Sequence, residues 1–229
     1  MAETLWSSIF EGTALQGITR VLIVFIVLSF SMRAVGTLFP AVFQYGYTVQ
    51  LTVIVNTAFS VIQLLFFLFF LKGYAVNRKP SLRAGTALAV LGAFLVTFIY
   101  LKNLDLVFGL DIIPPWLRSR LYDAVVPLAA SCFSLAFFGA FRNALLADER
   151  GHLARATESG MVGAGIFLVL HLIVLVNFLK FKKFLWLEHM PRTLAVGTTP
   201  LVVIASACLL FFYFQFYLYL YAGTRRAAP

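Results

Sequence analysis

Six long apolar runs, separated by short polar stretches, dominate the sequence. Each is close to the ~20 residues that a helix needs to cross a hydrocarbon core about 30 Å thick. Only helices and closed β-barrels satisfy all backbone hydrogen bonds in lipid. Runs such as 64–71 lack the apolar–polar alternation of a barrel strand, which leaves the helix. The pattern predicts an all-α, polytopic membrane protein, a single integral membrane domain with a six-transmembrane-helix bundle. The predicted helices cover residues 21–39, 51–71, 84–101, 122–141, 161–179 and 194–221.

The regions outside these runs are short. Residues 1–19 carry Glu3 and Glu11 with apolar residues such as Trp6, and we expect either an interfacial helix or a frayed terminus there. The first apolar run is too long for a signal-peptide core, so it should be retained. The stretches 103–120 and 180–192 combine basic and aromatic residues and are predicted to lie on the membrane surface.

Composition supports a membrane location. The 229 residues are 62% hydrophobic and 12% charged, and the mean hydropathy is +0.94, whereas soluble domains are about half apolar and a quarter charged. The 25 Phe and 9 Tyr also exclude a disordered chain, since they offer abundant apolar surface for burial. Both cysteines, Cys132 and Cys208, lie within apolar runs and are predicted to be buried.

The net charge of +9 is spread between the apolar runs, which argues against nucleic acid as a partner and favours contacts with anionic headgroups. The stretch 72–83 is basic and contains no acid. Under the predicted topology ten of the 18 basic residues share the side of the termini, which predicts cytoplasmic termini in an inner or plasma membrane. Those ten are Arg20, Lys72, Arg78, Lys79, Arg83, Arg142, Arg150, Arg155, Arg225 and Arg226.

Polar residues inside the apolar runs follow helical spacing. Thr52, Asn56, Ser60 and Gln63 fall within about 80° of one another on a helix, and three other runs carry similar seams. These seams either line an interior cavity or form hydrogen bonds between helices, which contribute about 0.6 kcal/mol each in membranes. If a cavity exists, the candidate ligand-binding residues are Arg33, Thr52, Asn56, Ser60, Gln63, Ser131, Ser134, Tyr213 and Tyr217.

The third run carries a different seam. Its small residues repeat every four positions, which allows a neighbouring helix to approach closely. The residues of this predicted packing face are Gly85, Ala89, Ala93 and Thr97. Gly160, Gly163 and Ala164 predict a second such face on the fifth helix.

Arg33 is the most costly residue to bury in the membrane. It lies about 10 Å inside the face opposite the termini, by helical rise from Pro40. Asp123 enters the membrane from that same face, so we predict an Arg33–Asp123 ion pair. The pair would either lock two helices together or position an anionic ligand.

Candidate chemistry is sparse. His171 is the one histidine near mid-membrane, and Cys132 is predicted at a similar depth, but no orienting group completes a thiol–imidazole dyad. Glu149 and His152 share a helical face without the second copy that a carboxylate-bridged metal site needs. We therefore assign no catalytic residue, no metal site and no cofactor.

The leading functional hypothesis is a membrane protein that binds or passes a small solute, or the membrane subunit of a larger transport assembly. A non-catalytic assembly or sensory subunit, which docks partner membrane proteins or a second copy of itself, is the main alternative. A lipid-modifying enzyme ranks third.

Overall fold

The computed structural model describes residues 2–38, 46–76, 78–114, 119–147, 151–181 and 192–227. These residues form six long helices, and none of the described residues lies in a strand. The helices are α1 (Ala2–Leu38), α2 (Gly46–Phe70), α3 (Pro80–Phe108), α4 (Arg120–Ala147), α5 (Gly151–Phe181) and α6 (Arg192–Ala227). A π-helical turn, Leu71–Ala75, extends α2. The predicted all-α, six-helix bundle is confirmed.

All six helices are long and apolar enough to cross a bilayer. Their apolar spans are Thr13–Met32, Val49–Ala75, Pro80–Phe108, Leu121–Leu146, Gly151–Lys180 and Thr198–Ala222. The protein is a multi-pass integral membrane protein. The chain crosses the bundle six times, so the start of the first helix and the end of the last lie on the same face. We call this face the terminal face.

The helices extend beyond their predicted ends, since hydropathy marks only the apolar part of a helix. Helix α1 begins at Ala2 and includes the residues predicted as an interfacial segment. Helix α3 starts with Pro80 at its first turn and continues to Phe108, where Gly109 ends it with a left-handed φ of 63°. Helix α3 therefore continues past its predicted end at residue 101 to Phe108. The membrane-surface location of residues 103–120 stays a prediction. Residues 115–118 and 182–191 lie outside the described part of the chain.

The six helices form a closed ring. Each helix packs against the next along the chain, and α6 packs against α1. Short connections between antiparallel neighbours favour this arrangement. A ring of six leaves space at its centre, and side chains of the second, fourth and sixth helices fill the half of that space nearer the terminal face.

An aromatic cluster fills that half of the ring. Its members are Phe66, Phe67, Phe70, Phe137, Phe138, Phe141, Phe212, Tyr213 and Phe216, all of them buried. Ring centroids lie 5.1 Å apart for Phe67 and Phe137 and 4.9 Å apart for Phe138 and Phe212, both edge to face. Such pairs stabilise a packed interior beyond their buried area. The cluster joins α2, α4 and α6 across the centre of the ring.

Small residues set the spacing between neighbouring helices. The four residues predicted as a packing face on α3 are all buried. A Cβ atom added at Gly85 would lie 2.9 Å from the Cβ of Ala140, and one added at Gly163 would lie 2.9 Å from the carbonyl oxygen of Ala205. These distances show that α3 approaches α4, and α5 approaches α6, too closely for larger side chains.

Candidate functional site

A cavity of about 280 Å³ occupies the half of the ring farther from the terminal face. Side chains from all six helices line it, and most of them are apolar. Phe67, Phe138 and Tyr213 belong to both the aromatic cluster and the cavity wall, so the cluster forms the floor of the cavity. A mostly apolar cleft or cavity with a few convergent polar groups is the usual form of a small-molecule site.

Polar side chains line the cavity at several depths. Asp123 lies at its outer end, away from the terminal face, and Ser131 and Ser134 follow inward along α4. Asp123 and Phe138 are 15 positions apart on that helix, which corresponds to about 22 Å at 1.5 Å per residue. The residues that line the cavity on α4 therefore extend over most of one half of the membrane-spanning helix.

Ser131 and His171 meet across the α4–α5 interface on the cavity wall. The Ser131 hydroxyl lies 2.9 Å from the His171 Nδ1 atom and 3.0 Å from the carbonyl oxygen of Pro127. If the hydroxyl donates to that carbonyl, the imidazole donates to the hydroxyl oxygen; otherwise the hydroxyl donates to the imidazole. The Phe167 ring stacks on His171 with centroids 6.1 Å apart. These contacts fix the orientation of the imidazole.

Lys102 and Asp123 form a buried ion pair at the outer end of the cavity. The Lys102 and Asp123 side chains are 1% and 8% exposed, and Asp123 is one of the residues that line the cavity. Burial of an ammonium group in a low-dielectric interior is costly unless a counter-charge compensates it. Nearby, Asp105 accepts a 2.7 Å hydrogen bond from the backbone N–H of Ile112, which holds the residues after α3 against its end.

Five cavity-lining residues have polar side-chain groups without a hydrogen-bond partner among the described residues. They are Gln63, Tyr100, Ser134, Ser206 and Tyr213. The Tyr213 side chain is only 3% exposed. A buried donor or acceptor without a partner costs about 1–3 kcal/mol, so a molecule that supplies partners would bind favourably.

The cavity gathers only part of the predicted ligand-binding set. Gln63, Ser131, Ser134 and Tyr213 line it, on three different helices. The binding role of these residues stays a prediction.

The other predicted residues lie elsewhere. Ser60 is buried and donates to the backbone carbonyl of Thr57, and Asn56 accepts a 3.2 Å hydrogen bond from Ser29. Thr52 is half-buried and does not line the cavity. Tyr217 stacks on Tyr221 beyond the aromatic cluster.

The predicted Arg33–Asp123 pair stays a prediction, because the Arg33 side chain lies outside the described part of the structure. The contact that is described for Asp123 comes from Lys102, a residue that the hydropathy pattern had placed in a loop. The sequence analysis missed this pair, although two features could have indicated it: Lys102 directly follows an apolar run, and Asp123 lies at the start of the next one. Only the fold shows that α3 continues past Lys102 and buries it.

The predicted burial of Cys132 is wrong. Cys132 is exposed on the outside of α4, and Cys208 is half-buried. One residue earlier, Ser131 faces His171 instead, because successive helical positions differ by about 100° in direction. A thiol–imidazole dyad is therefore not formed by these residues.

Metal and surface chemistry in the described part of the chain is limited. No group of three or more His, Cys, Asp and Glu side chains there has the arrangement of a metal site. Near the terminal face, Arg142 donates a 2.8 Å hydrogen bond to Glu158 between the exposed ends of α4 and α5. Glu149 lies outside the described residues.

Comparison of the chain with protein-family models, with curated proteins and with solved structures found no match. Evidence for function therefore comes from the cavity and the side chains that line it.

Proposed function

We propose that this membrane protein binds a small molecule inside the cavity. One observation carries the proposal: Gln63, Ser134 and Ser206 line a partly open, mostly apolar cavity and have no hydrogen-bond partner among the described residues. Polar groups within the membrane are costly and usually serve packing or function. A bound molecule with hydrogen-bonding groups gives these three side chains their partners.

The alternative role for the polar seams is to hold helices together. Among the described seam residues, two contacts serve that role, the Ser29–Asn56 bond between α1 and α2 and the Ser131–His171 bond between α4 and α5. Thr57 and Ser159, outside the seams, also donate to backbone carbonyls of neighbouring helices. The three side chains without partners do not. Some polar seam residues therefore form hydrogen bonds between helices, and the others have side-chain groups that a ligand could bond.

The aromatic cluster supports binding in preference to open conduction. It fills the ring between the cavity and the terminal face, so passage of a solute requires the rings of α2, α4 and α6 to separate. Our proposal covers binding alone. Solute transport, a subunit role in a larger assembly and lipid modification stay predictions from the sequence.

We further propose that the terminal face lies in the cytoplasm of an inner or plasma membrane and contacts anionic headgroups. Lys72, Lys79 and Arg83 are exposed on this face, and the Arg78 guanidinium lies 5.1 Å from the centroid of the Tyr74 ring. Exposed Lys and Arg beside spanning helices favour the cytoplasmic side. A fluorescent protein fused to the C-terminus should fluoresce in bacteria, while alkaline phosphatase fused there should be inactive; the reverse result contradicts this orientation.

The binding proposal is tested by filling the cavity. Ser206 lines the cavity, whereas Ala207, the next residue on α6, is exposed on the outside. Each of the variants Ser206→Phe and Ala207→Phe is purified in mild detergent, extracted with organic solvent and analysed by mass spectrometry. We expect a molecule that is enriched with the natural protein and with Ala207→Phe and is depleted with Ser206→Phe.

A melting curve of each variant accompanies the extraction. Identical extracts from the two variants, both folded, would overturn the proposal. If Ser206→Phe does not fold, the smaller change Ser206→Val replaces it and is compared with Ala207→Val.

A further inference from the structure

The charges around the cavity indicate which class of molecule it accepts. Among the described side chains that line it, Asp123 is the only one with a formal charge, and Lys102 lies in contact with its carboxylate. A charged ligand would therefore bring a new charge into a low-dielectric space in which, among the described wall residues, the one charge is already compensated. Such transfers are strongly unfavourable without a matching counter-charge. An uncharged molecule avoids that cost.

The shape of the cavity narrows the class further. The cavity has a volume of about 280 Å³, and the residues that line it on α4, from Asp123 to Phe138, extend over about 22 Å. A compact ring system would leave much of such a space empty, whereas a flexible chain follows it. The apolar wall residues, such as Phe59, Val202 and Leu209, suit a hydrocarbon chain.

The deepest polar groups specify the end of that chain. Gln63 lies one helical turn before Phe67, and Tyr213 is part of the floor. The amide of Gln63 both donates and accepts hydrogen bonds, and so does the phenol of Tyr213. A hydroxyl group has the same dual capacity, whereas an ether or a ketone only accepts.

From these three observations we infer that the cavity binds an uncharged, single-chain amphiphile whose hydroxyl end group bonds Gln63 and Tyr213. The inference rests on the proposed binding function and specifies its ligand class. Ser134 lies one helical turn before Phe138, at a depth close to that of Gln63, and offers the hydroxyl group a further contact. Ser206 and the Ser131–His171 pair lie nearer the outer end of the cavity.

The test uses chains that differ only in their end group. Photoreactive diazirine derivatives of dodecan-1-ol, dodecanoate and dodecylamine are added to the protein in lipid nanodiscs, and the labelled residues are mapped by mass spectrometry. We expect the alcohol to label cavity positions on α4 and α6 at least about tenfold more than the carboxylate or the amine, which corresponds to about 1.4 kcal/mol. Labelling of the lipid-facing Phe214 gives the background for each probe.

The variant Gln63→Leu separates the hydroxyl contact from general affinity for the chain. It keeps the side-chain size similar, and we expect alcohol labelling of the cavity to fall about three- to tenfold, as for the loss of one neutral hydrogen bond. The variant Leu65→Ala, at an exposed position of α2, should leave this labelling unchanged.

The outcomes separate this inference from the function on which it rests. If the carboxylate or the amine labels the cavity as strongly as the alcohol, binding stands and the uncharged class is wrong. Equal labelling in Gln63→Leu, with the fold retained, overturns the hydroxyl contact. If no probe labels the cavity, the inference is wrong, and the Ser206→Phe extraction decides separately whether the binding function also falls.

Discussion

Lys102 and Asp123 join the end of α3 to the start of α4 through an ion pair whose side chains are 1% and 8% exposed. The pair lies at the outer end of the cavity, because Asp123 lines it. It therefore links the stability of the ring to the geometry of the site. A buried pair of this kind is sensitive to the loss of one partner and tolerant to the replacement of both.

The variant Asp123→Leu should lower the free energy of unfolding by about 3–5 kcal/mol, since it leaves the buried Lys102 without its carboxylate. Adding Lys102→Met to the same chain should restore most of that loss. Thermal unfolding in detergent measures both effects. A double variant no more stable than Asp123→Leu would show that Lys102 does not depend on Asp123.

The predicted contribution of Arg33 is measured in the same way. If Arg33 also pairs with Asp123, Arg33→Met should destabilise the natural protein more than it destabilises the Asp123→Leu variant. Equal effects in the two backgrounds contradict an Arg33–Asp123 pair.

Close helix packing gives a second prediction, with a matched control on α5. A methyl group at Gly163 meets the Ala205 carbonyl oxygen at 2.9 Å, whereas one at Gly165 meets no atom within 4 Å. Gly163→Ala should therefore destabilise the protein by about 1–3 kcal/mol. Gly165→Ala should be neutral or stabilise by up to about 1 kcal/mol, because alanine favours the helix. Melting temperatures that fall equally in both variants would contradict the α5–α6 packing described above.

The aromatic cluster predicts a contrast between two phenylalanines. Phe70 is fully buried among the rings of α4 and α6, while Phe94 is 55% exposed on the outside of α3. Phe70→Ala should cost about 3–5 kcal/mol through lost packing and the resulting void. Phe94→Ala should cost much less, since lipid replaces its contacts. Similar unfolding midpoints for the two variants would rule out a packed centre.

The Ser131–His171 bond is tested at two adjacent positions. Ser131→Ala removes the partner of Nδ1 and should shift the ¹⁵N resonance of that atom in histidine-labelled protein, with a loss of about 1 kcal/mol in stability. Cys132→Ala should leave the resonance unchanged, because this side chain is exposed on the outside of α4. If Cys132→Ala shifts the resonance and Ser131→Ala does not, then Cys132, and not Ser131, faces His171, and the rotation of α4 described above is wrong.

Much of the fold follows from the sequence. Six apolar runs of membrane-spanning length leave helices as the solution, and helical spacing correctly placed Gln63, Ser134 and Tyr213 toward the interior. The first inference compares the length of each apolar run with the thickness of the bilayer. The second uses the angular positions of polar residues around a single helix. Neither requires knowledge of a neighbouring helix.

The rest depends on how helices meet. Lys102 was assigned to a loop because charge ends an apolar run, but a carboxylate 21 positions away on α4 compensates its burial. The Ser131–His171 contact needs the relative rotation of α4 and α5, which periodicity does not supply. Ser60 lies on the polar side of α2 yet bonds its own backbone, so a shared helical face is weaker evidence than a shared cavity.

The most direct measurement is an experimental density map of the protein purified with native lipid and imaged in nanodiscs. We expect continuous density, longer than ordered water, between the floor at Phe138 and Tyr213 and the outer end at Asp123, within hydrogen-bond distance of Gln63. A ring that has collapsed into a dry, packed interior, with Gln63 bonded to another protein side chain, would contradict it.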